Sequence, residues 1–170
     1  MTEQYIHITQ GEHATGTGPD VVIATLLGSC VSCCLWDPTT KVGGMNHMLL
    51  AHASGQTTHR TLSGINAMEL LINDLVKLGA DRTRLRAKAF GGSRMISGLS
   101  DIGMQNANFL REYLQQEGIQ LVTHSLGGTL ARNIRFWPGT GRVLQRMTDA
   151  IVQDTAANVQ MPKGNGLELF

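Results

Sequence analysis

Cys30 and His47 carry the chemistry most readily read from this sequence. Cys30 closes the run Leu26-Leu27-Gly28-Ser29-Cys30, where an apolar stretch ends in a Gly-Ser step and then a thiol. A nucleophilic cysteine needs an exposed sulfur, a neighbouring base and backbone N–H groups to receive an oxyanion. Gly28 permits an unusual backbone or a close approach to a ligand, and the N–H groups of Ser29 and Cys30 are candidate oxyanion donors. His47 lies on the next apolar run, past the turn signal Asp37-Pro38-Thr39-Thr40. A turn centred between Pro38 and Thr39 would set Cys30 directly opposite His47 in an antiparallel pair. Their Cβ atoms would then be about 4.5–5.5 Å apart, within reach of an imidazole. Taken singly, Cys30 reads as a buried core thiol and His47 as a satisfied strand histidine.

Other motifs lead elsewhere. Cys30-x-x-Cys33 has redox or zinc spacing, but there is no second Cys pair to complete a zinc set. In a strand, Cys30, Ser32 and Cys34 share one face and Cys33 the other, so Cys33 and Cys34 read as packed thiols. His124-Ser125-Leu126-Gly127-Gly128 resembles a hydrolase elbow, yet no histidine follows Ser125 to complete the triad order. Gly91-Gly92 and Gly127-Gly128 follow strands and match no phosphate loop. They read as glycines that let loops crowd around a cleft. His47, His52 and His59 lack the acidic or thiolate company of a metal site, so neither metal nor cofactor is expected.

The elements that must position these residues follow from periodicity. Strands are expected over 5–9, 21–27, 31–36, 42–50, 85–90 and 119–123, with a hairpin of 133–137 and 142–147. Residues 11–19 read as a loop and 51–58 as a polar loop. One helix is expected over 61–78, with Ile65, Met68, Ile72 and Leu75 at helical spacing and Gly79 at the stop. A second starts at a Ser100 or Asp101 cap and runs to Glu117. Residues 148–170 read as a loosely held tail with room for a short final strand. The sum is an α+β layered domain of mostly hairpin-linked strands and two main helices.

The 170 residues suit a single domain over 1–170. Hydrophobic residues are 42% and charged residues 16%, enough for a buried core. A net charge of +1 excludes a globally basic nucleic-acid binder. No apolar run approaches the roughly 20 residues of a membrane span, and the N-terminus does not read as a signal peptide. An odd cluster of three cysteines fits a reducing, cytoplasmic setting better than a disulfide framework. Residues 1–79 hold 3 basic and 6 acidic side chains, whereas 80–170 hold 11 and 7. This reads first as solvated surface and second as a basic face for an acidic partner. Arg82, Arg84, Arg86 and Lys88 alternate as though on the exposed face of one strand.

Several motifs in order give a family resemblance. The run Leu26-Leu27-Gly28-Ser29-Cys30-Val31-Ser32-Cys33-Cys34-Leu35-Trp36-Asp37-Pro38, followed by Val42-Gly43-Gly44-Met45-Asn46-His47, resembles the chemotaxis family CheD. So do Ala89-Phe90-Gly91-Gly92-Ser93-Arg94-Met95, Ile102-Gly103 with Asn106, and Gly127-Gly128-Thr129-Leu130-Ala131-Arg132. The resemblance implies a chemoreceptor glutamine deamidase with an α/β/β sandwich fold. It implies Cys30 as nucleophile, His47 as base and a threonine on the preceding strand, for which Thr25 is the nearby candidate. Thr25 stands one residue closer to the cysteine than the family spacing, and one residue reverses the face of a strand side chain. The implied partners are receptor cytoplasmic helices and a CheC-like phosphatase. A chemotaxis adaptor with little or no catalysis is the alternative function, and a thiol redox protein a third reading.

Overall fold

In the computed structural model, residues 2–50, 57–95, 101–149 and 166–170 are described. Most of the polar loop expected over 51–58, and most of the tail over 148–170, lie outside them. The described strands are β1 (Gln4–His7), β2 (His13–Thr17), β3 (Val21–Leu27), β4 (Val31–Asp37), β5 (Val42–Asn46), β6 (Arg86–Gly91), β7 (Gln120–Leu126), β8 (Ala131–Trp137), β9 (Arg142–Thr148) and β10 (Leu167–Leu169). The helices are α1 (Thr57–Lys77) and α2 (Ile102–Gln116).

The strands form two five-stranded sheets, ordered β1-β3-β8-β9-β10 and β2-β5-β4-β6-β7. Period-two alternation divides the core between two layers. Val31, Cys33, Leu35, Ala87 and Ala89 face α1 and α2, meeting Met68, Leu71, Ile72, Leu75, Leu110 and Leu114. Cys34, Trp36, Met45 and Phe90 face the other sheet, meeting Ile23, Leu27, Ile134, Phe136 and Val143. The architecture is therefore α+β in three layers, helices on sheet on sheet. β4 is buried at every position, as its apolar run requires of a strand covered on both faces. Cys33 lies in the helix-side layer while Cys30 and Cys34 lie between the sheets, as their spacing requires.

The connections differ in part from the sequence expectation. Consecutive strands form hairpins at β4–β5 and β8–β9. β6 and β7 instead run parallel with α2 as their crossover, and β1 pairs parallel to β3. Residues 13–17, read as loop, form edge strand β2 on β5, with Gly16 opposite Gly43. Glycines have poor strand propensity, so tertiary pairing makes this strand. Asp101 is the cap of α2, its carboxylate accepting from Met104 N at 2.9 Å.

The expected basic strand face does not form. Arg82 and Arg84 lie in a 3-10 turn before β6 and are paired, Arg82 with Glu69 and Glu117, Arg84 with Asp37 and Asp81. Lys88 is buried between the sheets, donating to Phe170 O at 2.7 Å beneath the Trp36 ring. Arg86 alone of the four points to solvent without an ion pair among the described residues.

Candidate functional site

The chain changes sheets at Gly28-Ser29-Cys30. β3 belongs to one sheet and β4 to the other, so this crossover lies where the two sheets meet. All three of its carbonyls are anchored from one side. Gly28 O accepts from Ser93 N at 3.0 Å, and Cys30 O accepts from Gly92 N at 2.8 Å. Ser29 O accepts from the Asn106 side-chain amide at 2.8 Å. A trans peptide points its N–H opposite its carbonyl. The N–H groups of Ser29 and Cys30 therefore face away from the 92–93 loop and α2. Gly91 makes this approach possible: its φ is +106°, and a Cβ there would run into the Cys30 carbonyl. Gly103 does the same for α2, whose first turn lies against the carbonyls of Gly92 and Ser93.

His47 reaches the crossover from β5, but not at the register expected. Asp37 pairs with Val42 and Val31 with Met48, so His47 stands opposite Ser32 and diagonal to Cys30. The turn is the cause. Asp37 Oδ1 accepts from Thr39 N and Thr40 N, Asp37 O accepts from Lys41 N, and Lys41 has φ +58°. These bonds make a four-residue turn centred one residue later than Pro38-Thr39. Diagonal neighbours on one face are about 7–8 Å apart, still within the span of an imidazole.

Thr25 lies on the inner face of β3 with Ile23 and Leu27, across from His47. Its hydroxyl donates to Ile8 O at 2.8 Å and meets His47 Nδ1 at 2.7 Å. A hydroxyl has one hydrogen. With that hydrogen directed at Ile8, the His47 bond runs from Nδ1–H to Thr25. The neutral ring then carries its lone pair on Nε2. Thr25 is 5% and His47 7% exposed, so water does not compete freely for this bond. The one-residue offset of Thr25 from the family spacing thus does not turn it away from His47.

Four further buried polar residues had no role assigned from the sequence, although Ser93, Asn106 and Arg132 stand in the motifs that carry the resemblance. Asn106 is buried on the core face of α2 and also accepts from Leu50 N at 3.3 Å. A polar residue at a core-facing helical position was the available signal. Arg132, 3% exposed, binds Ser93 Oγ at 2.5 Å and Gly127 O at 2.8 Å. Burial pulls its pKa down, and its donors hold two glycine loops together. Ser93 Oγ donates to Leu130 O at 2.6 Å. Ser32, opposite His47, has a buried hydroxyl with no hydrogen-bond partner among the described residues.

All three cysteines are buried: Cys30 is 3% exposed, so the structure does not give it the exposed sulfur expected of a nucleophile, and Cys33 and Cys34 are fully covered. Burial pushes both thiols above the ordinary cysteine range, and for Cys34 the neighbouring Cys33 adds to it. None of the three cysteines forms a disulfide. Among the described residues no group of three His, Cys, Asp or Glu side chains is placed to hold a metal. A cleft of about 250 Å³ opens beside His47, between Glu12, His13, Asn46 and the α1 residues Gly64 and Ala67. A groove of about 410 Å³ between α1 and α2, along Ile65, Phe109 and Tyr113, touches neither Cys30 nor His47. No helix among the described residues is long and apolar enough to cross a membrane.

Comparison with known proteins gives this geometry a context. The family model described as CheD chemotactic sensory transduction matches residues 48–147. A protein of Caulobacter sp. (strain K31) named "Probable chemoreceptor glutamine deamidase CheD" is 48% identical over 159 residues, covering 92% of this chain and 84% of its own. Proteins with the same name from Cereibacter sphaeroides and Rhizobium rhizogenes are 50% and 47% identical, covering 91% and 99% of this chain and 76% and 97% of theirs. Among solved structures, the hypothetical protein YfiH of Bacillus licheniformis aligns with a TM-score of 0.45 at 14% identity, covering 73% of this chain and 60% of that one.

Proposed function

This chain belongs to the CheD family, and we propose that it is a cytoplasmic protein-glutamine deamidase acting on chemoreceptors. The observation that carries the reading is the buried Thr25–His47 bond, which leaves Nε2 as the basic atom of a histidine diagonal to Cys30. His47 Nε2 takes the Cys30 proton, and the thiolate attacks the side-chain carboxamide carbon of a receptor glutamine. The N–H groups of Ser29 and Cys30, aimed by the anchored carbonyls of Gly28 and Ser29 in the same peptide planes, receive the oxyanion. One such donor is worth about 2.7–4 kcal/mol in acyl transfer. The imidazolium returns its proton to the nitrogen, and ammonia leaves as the C–N bond breaks. His47 then deprotonates a water that attacks the thioester; Cys30 departs as thiolate and is reprotonated. Glutamine and water become glutamate and ammonia. The reaction uses no cofactor and adds one negative charge to the receptor.

Thr25 acts in this scheme as a positioning residue for the base. A CheC-like phosphatase belongs to the same reading as a protein partner. The test is mass spectrometry of a chemoreceptor cytoplasmic fragment incubated with the protein or with Cys30→Ala. A Gln-to-Glu mass change that vanishes in the variant is the expected result. Retained receptor binding with no mass change by wild type would replace the enzyme with an adaptor.

A further inference from the structure

We infer that Asn106 is a positioning residue that sets the Ser29–Cys30 peptide and ties it to the segment carrying His47. The inference rests on the deamidase reading above. Asn106 is fully buried on the face of α2 that also presents Gly103, Ala107 and Leu110. An amide in such a place is costly unless both its ends are bonded. Both are: Nδ2 donates to Ser29 O at 2.8 Å, and Oδ1 accepts from Leu50 N at 3.3 Å. Ser29 precedes the nucleophile, and Leu50 lies three residues beyond the base. One side chain therefore spans the two arms of the site.

The Ser29 bond matters most, because of peptide geometry. The Ser29 carbonyl and the Cys30 N–H belong to one rigid plane. Fixing the carbonyl fixes the direction of the N–H that receives the oxyanion. The adjacent planes are held by main-chain donors, Ser93 N and Gly92 N. Only the central plane depends on a side chain, so it is the one that a substitution can release without removing backbone bonds.

Asn106→Asp isolates this role. Its shape is nearly unchanged and it keeps an acceptor for Leu50 N. At neutral pH a carboxylate oxygen replaces the donor and repels Ser29 O. A protonated carboxyl restores an O–H donor, and burial raises the pH at which that form persists. Cys30 and His47, the titratable groups on the two arms, are present in both proteins. Each rate is therefore taken relative to wild type at the same pH.

The experiment measures kcat and KM for deamidation of a receptor cytoplasmic fragment from about pH 5 to pH 8. The proteins are wild type, Asn106→Asp and Asn106→Ala, with iodoacetamide labelling of Cys30 in parallel. The expected result at neutral pH is a kcat lowered about 10- to 100-fold in Asn106→Asp with KM within about threefold. That loss shrinks as pH falls. Asn106→Ala, if it folds, shows a loss that does not recover. A pH-independent loss in Asn106→Asp, or wild-type kcat throughout, overturns the inference. Absence of deamidation by wild type overturns the deamidase reading instead. The positioning role then stands or falls on whether Cys30 labelling in Asn106→Asp departs from wild type at neutral pH and returns at low pH.

Discussion

Replacing Thr25 with valine removes one hydroxyl and almost no volume, so its effects belong to two hydrogen bonds. Those bonds join Thr25 Oγ1 to His47 Nδ1 at 2.7 Å and to Ile8 O at 2.8 Å. Both partners sit in buried residues, with Ile8 at 4% and His47 at 7% exposure. A buried group left without its bond costs about 1–3 kcal/mol. Two such groups, partly relieved by local relaxation, predict a destabilisation of about 2–4 kcal/mol. At about 2–4 °C per kcal/mol for a chain of this size, Tm falls by about 5–15 °C. Catalysis falls for a separate reason. Valine cannot accept from Nδ1–H, so the neutral ring loses its tautomer preference and the imidazolium loses an acceptor. A loss of about 1–3 kcal/mol in the transition state is a factor of about 5 to 150 in kcat. Thr25→Ser keeps the hydroxyl and should stay within about a factor of three of wild type. The assay is kcat by mass spectrometry on a receptor fragment below Tm, with thermal unfolding of each variant. Wild-type kcat in Thr25→Val, or equal impairment in Thr25→Ser, would refute the tautomer argument.

Asp37 should give the fold an acid-sensitive component. Burial raises its carboxyl pKa, but Arg84 and the N–H groups of Asp81, Thr39 and Thr40 outweigh burial and hold it below the ordinary carboxylate range. Its stabilisation is therefore present above about pH 4 and lost as pH falls further. Asp37→Asn should cost about 2 kcal/mol at neutral pH, discounted for the partly exposed Arg84, and flatten the acid limb of urea unfolding. Cys33 and Cys34, with thiols raised by burial, should resist iodoacetamide in the native state and label fully in urea; rapid native labelling would contradict the layer assignment. Gly91→Ala places a Cβ against Cys30 O at φ +106°. It should cost at least about 1–3 kcal/mol in thermal unfolding and lower kcat by displacing the crossover.

The legible parts of the fold were those whose signal is local. The α1 stripe of Met68, Ile72 and Leu75, the Asp101 cap and the alternation of Cys30, Cys33 and Cys34 each depend on neighbours within a turn or a strand. The losses were non-local. β2 exists because β5 pairs with it, and its Gly16 gives no strand signal alone. Arg82, Arg84 and Lys88 alternate as an exposed strand would, yet Glu69, Asp37 and Phe170 take them up from distant parts of the chain. The hairpin register failed by one residue on each strand because side-chain bonds from Asp37 choose the turn, and Pro38-Thr39 alone does not show them.

That register error makes the candidate site easier to understand. Val31 and Met48, the neighbours of Cys30 and His47, exchange two backbone hydrogen bonds, so one ladder pair still ties the two arms of the site. The diagonal placement leaves the side-chain geometry to other elements. Thr25 sets the ring of His47 from the second sheet, while the 92–93 loop and α2 set the crossover bearing Cys30. Arg132 links these supports, since it holds Ser93, whose N–H anchors Gly28. The 92–93 loop after β6 gives two of the hydrogen bonds to the three-residue crossover, and α2 gives the third. The chain leaves one sheet for the other at this point, where three consecutive carbonyls are bonded on one side and their partner N–H groups face the opposite side. A site built this way requires the glycines at 91 and 103 for close approach. It also requires a buried amide at 106, which no neighbouring residue in sequence would call for.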